Sequence, residues 1–304
     1  MLWSAVFRII FLTIRGKDNK IDIYAQNESL RYGEGIMKKI ISLRAFACGE
    51  EQIDFSDMFI NSQAGEQTLP INVLMLEHRK LGTILVNTGC TDRLKKNLPQ
   101  FIAYRQKHKL RFEGSDSIIK QLDNENVDPR LIRRVILTHC SPECCGALPL
   151  LPRYELISSA QVLCLIKAGI TDDSMMKSTM PEPSVPVKAA GIFNGETPLK
   201  KYFKWVYDIS GDGSVLGVDL RGHCQYMTGL YFTESRLLYA ADAAPDERVL
   251  DEELVPSEKL LALQAEPDDY LVTLSTLRRL HREQPDITVR FMHSRSIPVI
   301  SGEK

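Results

Sequence analysis

Two patterns in the 304-residue chain predict an α/β fold. Short runs rich in β-branched and apolar residues recur between turn residues, as strands do. Stretches with apolar residues at helical spacing, bounded by capping residues, alternate with them. One strand-like run, Val135-Ile136-Leu137, stops at Thr138-His139-Cys140-Ser141-Pro142-Glu143-Cys144-Cys145-Gly146. A buried strand that ends in a cluster of potential metal ligands and then a glycine reads as the floor of a site.

Composition bounds the function classes. Hydrophobic residues make up 44% and charged residues 25% of the chain, ordinary usage for a protein that buries a sizeable core. The formal net charge of -1 gives no basic footprint. It therefore argues against nucleic acid or an anionic membrane as an electrostatically chosen partner. Seven cysteines, Cys48, Cys90, Cys140, Cys144, Cys145, Cys164 and Cys224, are an odd number without framework spacing, which favours a reducing cytoplasm. Residues 2–14 are nearly all apolar but contain Arg8 and fall short of the ~20 residues a spanning helix needs. They also lack the charge order of a signal peptide, so no transmembrane span is expected. A polar stretch, 17–35, leads to Met37-Lys38-Lys39-Ile40-Ile41, which reads like the opening of a cytosolic protein. Residues 1–36 are accordingly read as an N-terminal extension, with a native start at Met37 as the first reading and a weak amphipathic membrane contact as its rival, and 37–304 as a single domain.

In chain order, residues 39–46, 71–77 and 82–86 read as strands joined by a hairpin, followed by the turn-like Asn87-Thr88-Gly89. Residues 94–110 read as a basic helix whose His108, in the run Arg105-Gln106-Lys107-His108-Lys109, belongs to a solvated face. Ser115 can cap a helix with the stripe Ile118, Ile119 and Leu122. After the central cluster come a strand at 155–158 and a helix at 159–167 stopped by Gly169. Residues 171–200, with Met175, Met176, Met180 and several prolines, have no clear period and read as a substrate-facing insertion or lid, with plain disorder as the competing reading. Strands resume at 202–209, 214–220, 227–233 and 236–241, spaced as an antiparallel meander. Pro267-Asp268-Asp269 opens a helix at its positive end, with Leu271, Leu274, Leu277 and Leu280 along one side. A last strand, 287–292, runs into His293.

Four ligand-type side chains, His139, His223, Asp242 and His293, thus lie at strand ends. Their surroundings are Val-Asn-Thr-Gly at 86–89, Thr138-His139 with its trailing Gly146, Gly222-His223, an apolar strand running into Asp242-Ala243, and Phe291-Met292-His293. Over most of residues 38–295 this order resembles the metallo-β-lactamase superfamily, whose loop reads Thr-His-x-His-x-Asp-His-x-Gly, and within it the N-acyl-homoserine lactonases. The loop departs from that pattern: Ser141 stands at the second His, Glu143 at the Asp and Cys144 at the last His, while Asn87 replaces the acidic residue that supports the loop.

The resemblance implies a four-layer αββα sandwich with a zinc site of one or two ions in a cleft at one edge. Carried over residue by residue, it implies His139 and His223 at the first metal and Asp242 bridging. At the second it implies Glu143, Cys144, Asp242 and His293, all legitimate zinc-ligand types. A thiolate from Cys144 would favour zinc over magnesium or manganese. The implied reaction is hydrolysis of a lactone, ester or thioester by a metal-bound hydroxide that Asp242 positions. The methionines of 171–200 point to a hydrophobic acyl group. The rival reading is a fold that has lost its metal centre and serves as a binding or regulatory module, with Cys140, Cys144 and Cys145 as small buried hydrophobes. The joint presence of His139, His223, Asp242 and His293 favours the hydrolase.

Overall fold

The computed structural model describes residues 13–14, 21–22, 38–96, 99–168, 185–251 and 254–301. Most of the apolar N-terminal run, and residues 171–184 of the expected lid, lie outside these. The chain divides into two units, Met1–Lys38 and Lys39–Lys304. In the first, β1 (Thr13–Ile14) pairs antiparallel with β2 (Ile21–Asp22).

The second unit is built on two mixed sheets. The alternating apolar runs of the sequence become β3 (Ile40–Asp54) and β4 (Glu66–His78), a long antiparallel hairpin, with β5 (Gly82–Val86) antiparallel to β4. β6 (Leu110–Arg111) pairs with β3. β7 (Ile132–Ile136), β8 (Glu155–Ser158) and β9 (Val187–Ala189) continue the sheet in parallel from β5. The chain then crosses to the second sheet through β10 (Gly191–Ile192). The antiparallel meander β11 (Val206–Asp208), β12 (Val215–Asp219), β13 (Thr228–Phe232) and β14 (Leu237–Tyr239) follows, and β15 (Thr288–Arg290) closes it parallel to β14. β16 (Ile300–Ser301) returns to the first sheet beside β3.

Period-two alternation sorts the second sheet's side chains into two cores. Val215, Leu230, Phe232, Leu237 and Tyr239 pack with the first sheet, in the core that also receives Val73, Leu85 and Val135. Leu216, Val218, Tyr231 and Leu238 point the other way and pack with Leu274, Leu277 and Leu280. Those leucines belong to the last helix of the unit.

Among the described residues, eight helices cover the sheets: α1 (Phe55–Met58), α2 (Pro99–Lys107), α3 (Ile118–Asn124), α4 (Pro142–Cys145), α5 (Ala160–Ala168), α6 (Arg248–Asp251), α7 (Glu258–Ala262) and α8 (Pro267–Glu283). Phe101 and Tyr104 of α2, Ile118 and Leu122 of α3 and Leu163 of α5 belong to the first core, α7 and α8 to the second. Helices therefore flank a pair of sheets as the expected αββα sandwich.

Three local expectations change. α3 takes Ser117 rather than Ser115 as its N-cap residue. Leu271 is 40% exposed, and Tyr270 is the buried residue beside it, because helical spacing puts 270, 274 and 277 on the core face. The described part of 171–200 contains two edge strands, one for each sheet.

His78 couples the hairpin turn to the second sheet. Its Nδ1 accepts from the backbone N–H groups of Lys80 and Leu81 at 3.1 and 3.0 Å, and its Nε2 lies 3.0 Å from Ser214 Oγ. That pattern requires the neutral ring with the proton on Nε2. Burial pulls the imidazole below its ordinary value, against the opposing field of Asp212. A depressed folded pKa means that this stabilisation is full above the unfolded value of about 6.5 and is lost as pH falls through the lower folded value. Urea unfolding should therefore show the wild type losing more stability than His78→Gln between pH 7 and 5. Parallel pH profiles for the two proteins would refute the assignment.

Candidate functional site

Strand direction gathers the donors. β14 and β15 are parallel, and β12 and β14 are both antiparallel to β13, so all three end at one edge of the sheet. His223, Asp242 and His293 follow those ends. His139 follows β7 of the other sheet, and Thr228 N–H donates to the Thr138 carbonyl at 2.8 Å, tying the two sheets together at that edge.

The donor atoms of His139, His223 and Asp242 all lie within 4.8 Å of one another, the one such group of three among the described residues. His139 Nε2 is 3.3 Å and His223 Nε2 4.0 Å from Asp242 Oδ2. His293 Nε2 approaches the other carboxylate oxygen, Oδ1, at 3.5 Å. Asp242 Oδ1 is buried with no hydrogen-bond partner. Burial works against the charge on Asp242, but the hydrogen bond from His139 and the fields of His293, His139 and His223 outweigh it and hold the carboxyl well below the usual range. Burial pulls His223 below the ordinary imidazole value despite Asp242, leaving a neutral ring with a lone pair to offer. Two imidazoles and a carboxylate are the protein complement of a catalytic zinc with a position open to water, so these residues fit one ion.

The three remaining predicted ligands are placed otherwise. Cys144 lies in α4 with Sγ 3.7 and 3.9 Å from the His139 ring nitrogens, and burial pushes its thiol up. Glu143 accepts a hydrogen bond from Tyr104 Oη at 2.5 Å. His293 lies between Asp242 and Glu51, whose Oε2 is 3.2 Å from Nε2.

His139 and His293 are oriented from behind. Thr138 N–H donates to Asn87 Oδ1 and Asn87 Nδ2 donates to Thr138 Oγ1, both at 3.0 Å, and Thr138 Oγ1 meets His139 Nδ1 at 3.0 Å. Asn87 thus supports the loop through Thr138, without charge. His293 Nδ1 donates to the Pro70 carbonyl at 2.9 Å. Asn72 Nδ2 donates to the carbonyls of Met292 and Ser294. Ala241 holds φ at +48° just before Asp242, a left-handed conformation that costs a residue with a Cβ roughly 1–3 kcal/mol.

These groups form the polar end of a cleft whose wall includes Ile53, Met58, Leu260, Leu263, Pro245 and Tyr270. Sequence reading missed Glu51, Tyr104, Asn72 and Tyr270, and assigned His108 to a solvated face. His108 is only 20% exposed, stacks on Tyr104 and pairs with Glu51 at 3.4 Å. The available signal for Glu51 was Gly49 inside a strand pattern: Gly49 has φ +120°, and the β3–β4 register shifts between Ala47 and Glu50. Such a bulge re-aims the residues beside it.

No family model and no curated protein matches the sequence. Solved structures match the fold. An N-acyl homoserine lactone hydrolase with N-hexanoyl-L-homoserine bound at its catalytic metal centre gives a TM-score of 0.61 at 16% identity, over 85% of this chain and 95% of that one. A dizinc quorum-quenching lactonase, also with an N-hexanoyl-homoserine product, gives 0.53 at 12% identity, over 87% and 89%. A hydrolase of the β-lactamase superfamily gives 0.53 at 10% identity, over 84% and 87%. The chain therefore has the metallo-β-lactamase fold, and its structural neighbours are hydrolases.

Gly222 makes the His223 position possible. It has φ +123°, and a Cβ there would stand 2.2 Å from Tyr270 Cα. Glu266 N–H donates to its carbonyl at 3.0 Å, docking the loop on the start of α8. Gly222→Ala should destabilise the protein by about 2 kcal/mol or more in urea unfolding, the range for overpacking combined with a strained φ. Unchanged stability would show that the loop yields freely.

Proposed function

We propose that the protein is a zinc-dependent hydrolase of a lactone, ester or thioester with a hydrophobic acyl group. The observation that carries this reading is the buried Asp242 carboxylate, facing His139 and His223 with one oxygen while the other, without a hydrogen bond, faces His293, at the polar end of a largely apolar cleft. His139, His223 and Asp242 would hold the ion. A bound zinc supplies Lewis acidity, polarising a carbonyl and lowering the pKa of a water to about 7.

The chain's own residues supply the rest. Because Asp242 stays ionised, it serves as a ligand and an orienting acceptor rather than as a proton shuttle. Thr138 and Asn87 keep His139 in one orientation, as the partners of metal-ligating histidines do. Ile53, Met58, Leu260 and Leu263 give an acyl chain an apolar surface, worth roughly 25 cal/mol per Å² removed from water. The Tyr270 hydroxyl is buried without a hydrogen-bond partner, and burial raises its pKa. It stays protonated and is available to donate to a substrate oxygen. The structural neighbours with homoserine products in their sites support an acylated lactone as the first substrate to try.

Protein purified without added metal should contain zinc by elemental analysis and hydrolyse members of a lactone, ester and thioester panel. Chelation should abolish turnover, and Asp242→Ala should lose the metal together with at least ~100-fold in rate. Undiminished hydrolysis after complete metal removal, or a wild type that takes up no zinc when it is supplied, would sink the proposal.

A further inference from the structure

His108 lines the same cleft as Asp242 and His223, yet it is not one of the donors gathered around the carboxylate. Two pieces of backbone put it there. It stands one residue past the end of α2, with its N–H donating to the Tyr104 carbonyl at 3.0 Å, and β6 then pairs with β3 so that Leu110 lies opposite Glu51. Gln52 N–H also donates to the Lys109 carbonyl at 3.4 Å. The short span between helix and strand therefore sets the ring beside Glu51. Its Nδ1 lies 3.4 Å from Oε1, and Tyr104 stacks on its face with the ring centroids 4.3 Å apart. Its Nε2 meets no partner among the described residues and, on a ring that lines the cleft, is left for a bound molecule. Burial works against an imidazolium here, and Lys107 on its own helix adds to that. The contact with Glu51 of β3 and the field of Glu143 of α4 outweigh both and raise the ring's pKa, and the carbonyl end of α2 favours a cation at that place. The other titratable neighbours, Tyr104 and His223, are uncharged, since burial raises the phenol and lowers the imidazole.

We infer that His108 is the catalytic acid, donating its Nε2 proton to the alcohol oxygen that departs from the acyl carbon. The inference rests on the hydrolase proposed above and narrows its substrate class to lactones and alkyl esters. A thiolate, whose conjugate acid has a pKa of about 8.5, leaves near neutral pH without a proton donor. An alkoxide, with a conjugate acid near the ~15.7 of water, does not. In the step, the oxygen of water forms the new bond to the acyl carbon and the proton it gives up passes to solvent. The old C–O bond breaks with its electron pair on the departing oxygen, which takes the Nε2 proton, and the ring regains a proton from solvent. The products are an acid and an alcohol. Glu51 is a positioning residue: it holds the Nδ1 side of the ring, so that Nε2 is the nitrogen offered to substrate, and it keeps the ring charged.

The test uses the zinc-loaded full chain and two substrates with the same acyl group, a lactone and an aryl thioester. His108→Gln should lose on the order of 10²–10⁴-fold in kcat on the lactone, the range of general acid catalysis, and less than about 10-fold on the thioester, with a zinc content equal to that of wild type. Because the protonated ring is the active form and its pKa is raised, wild-type kcat/KM on the lactone should fall as pH rises through that pKa, a limb missing from His108→Gln. Glu51→Gln should move the limb to lower pH, and the His108 imidazole signals in a substrate-free NMR titration should move with it, a check that does not depend on how the 108 variant folds. Equal losses on both substrates, loss of zinc in His108→Gln, or a limb and imidazole pKa that stay in place in Glu51→Gln overturn the inference. So does undiminished lactone hydrolysis by His108→Gln. A wild type that hydrolyses the thioester and not the lactone overturns it while leaving the hydrolase proposal standing, and a wild type that hydrolyses neither overturns both.

Discussion

A buried carboxylate is the constraint on which this site depends. Asp242 is almost wholly out of solvent, and an ionised group placed there alone would cost several kcal/mol in desolvation. Three imidazoles, His139, His223 and His293, surround it, and the hydrogen bond from His139 and the field of His293 do most to keep it charged. They come from three different strand ends, so the site exists only if both sheets are in register. Its integrity is therefore a property of the whole unit rather than of one loop.

The second layer of contacts explains how distant strands hold so exact a placement. Asn87 stands at the end of β5 and reaches His139 through Thr138. Asn72, inside β4, holds the carbonyls on either side of His293, while Tyr239 donates its hydroxyl to the Asn72 carbonyl. Thr228 joins the start of β13 to the end of β7. These links are mostly to backbone groups, which every residue carries. Thus the strands that build the core also fix the angles at which the donors leave it, and site geometry is a by-product of sheet pairing.

That division also explains what could be read from the sequence. Period-two runs in β12 to β14 and the helical spacing of Leu274, Leu277 and Leu280 are local patterns tied to burial, and they survive as written. Strand-end donors His139, His223, Asp242 and His293 are visible because each follows an apolar run. Glu51, with only Gly49 to mark it, and His108 were passed over for the opposite reason. Each sits in a charged stretch whose neighbours face solvent, and only tertiary packing, a bulge in β3 and the stacking of His108 on Tyr104, turns them inward. Leu271 was misplaced by a simpler cause: a stripe of leucines shows that a buried face exists without showing where its edge falls, and Tyr270 took the inner position.

The altered loop is best understood through what its backbone does. Thr88 donates both its N–H and its hydroxyl to the Cys144 carbonyl, at 2.7 and 2.9 Å, and the 144 and 145 N–H groups return to the Ser141 carbonyl. Pro142 opens α4 at a position where its missing N–H is not needed. None of these contacts depends on the side chains at 143 and 144, so the fold tolerates glutamate and cysteine there. Their chemistry is then set by the nearest neighbours: a phenol for Glu143, an imidazole and a hydroxyl for Cys144. His139 has no such freedom, because its ring is held by Thr138 on one side and faces Asp242 on the other. A loop can therefore exchange residues at ligand-type positions such as 143 and 144 while the residue that begins it, and the remote donors it faces, remain bound to one geometry.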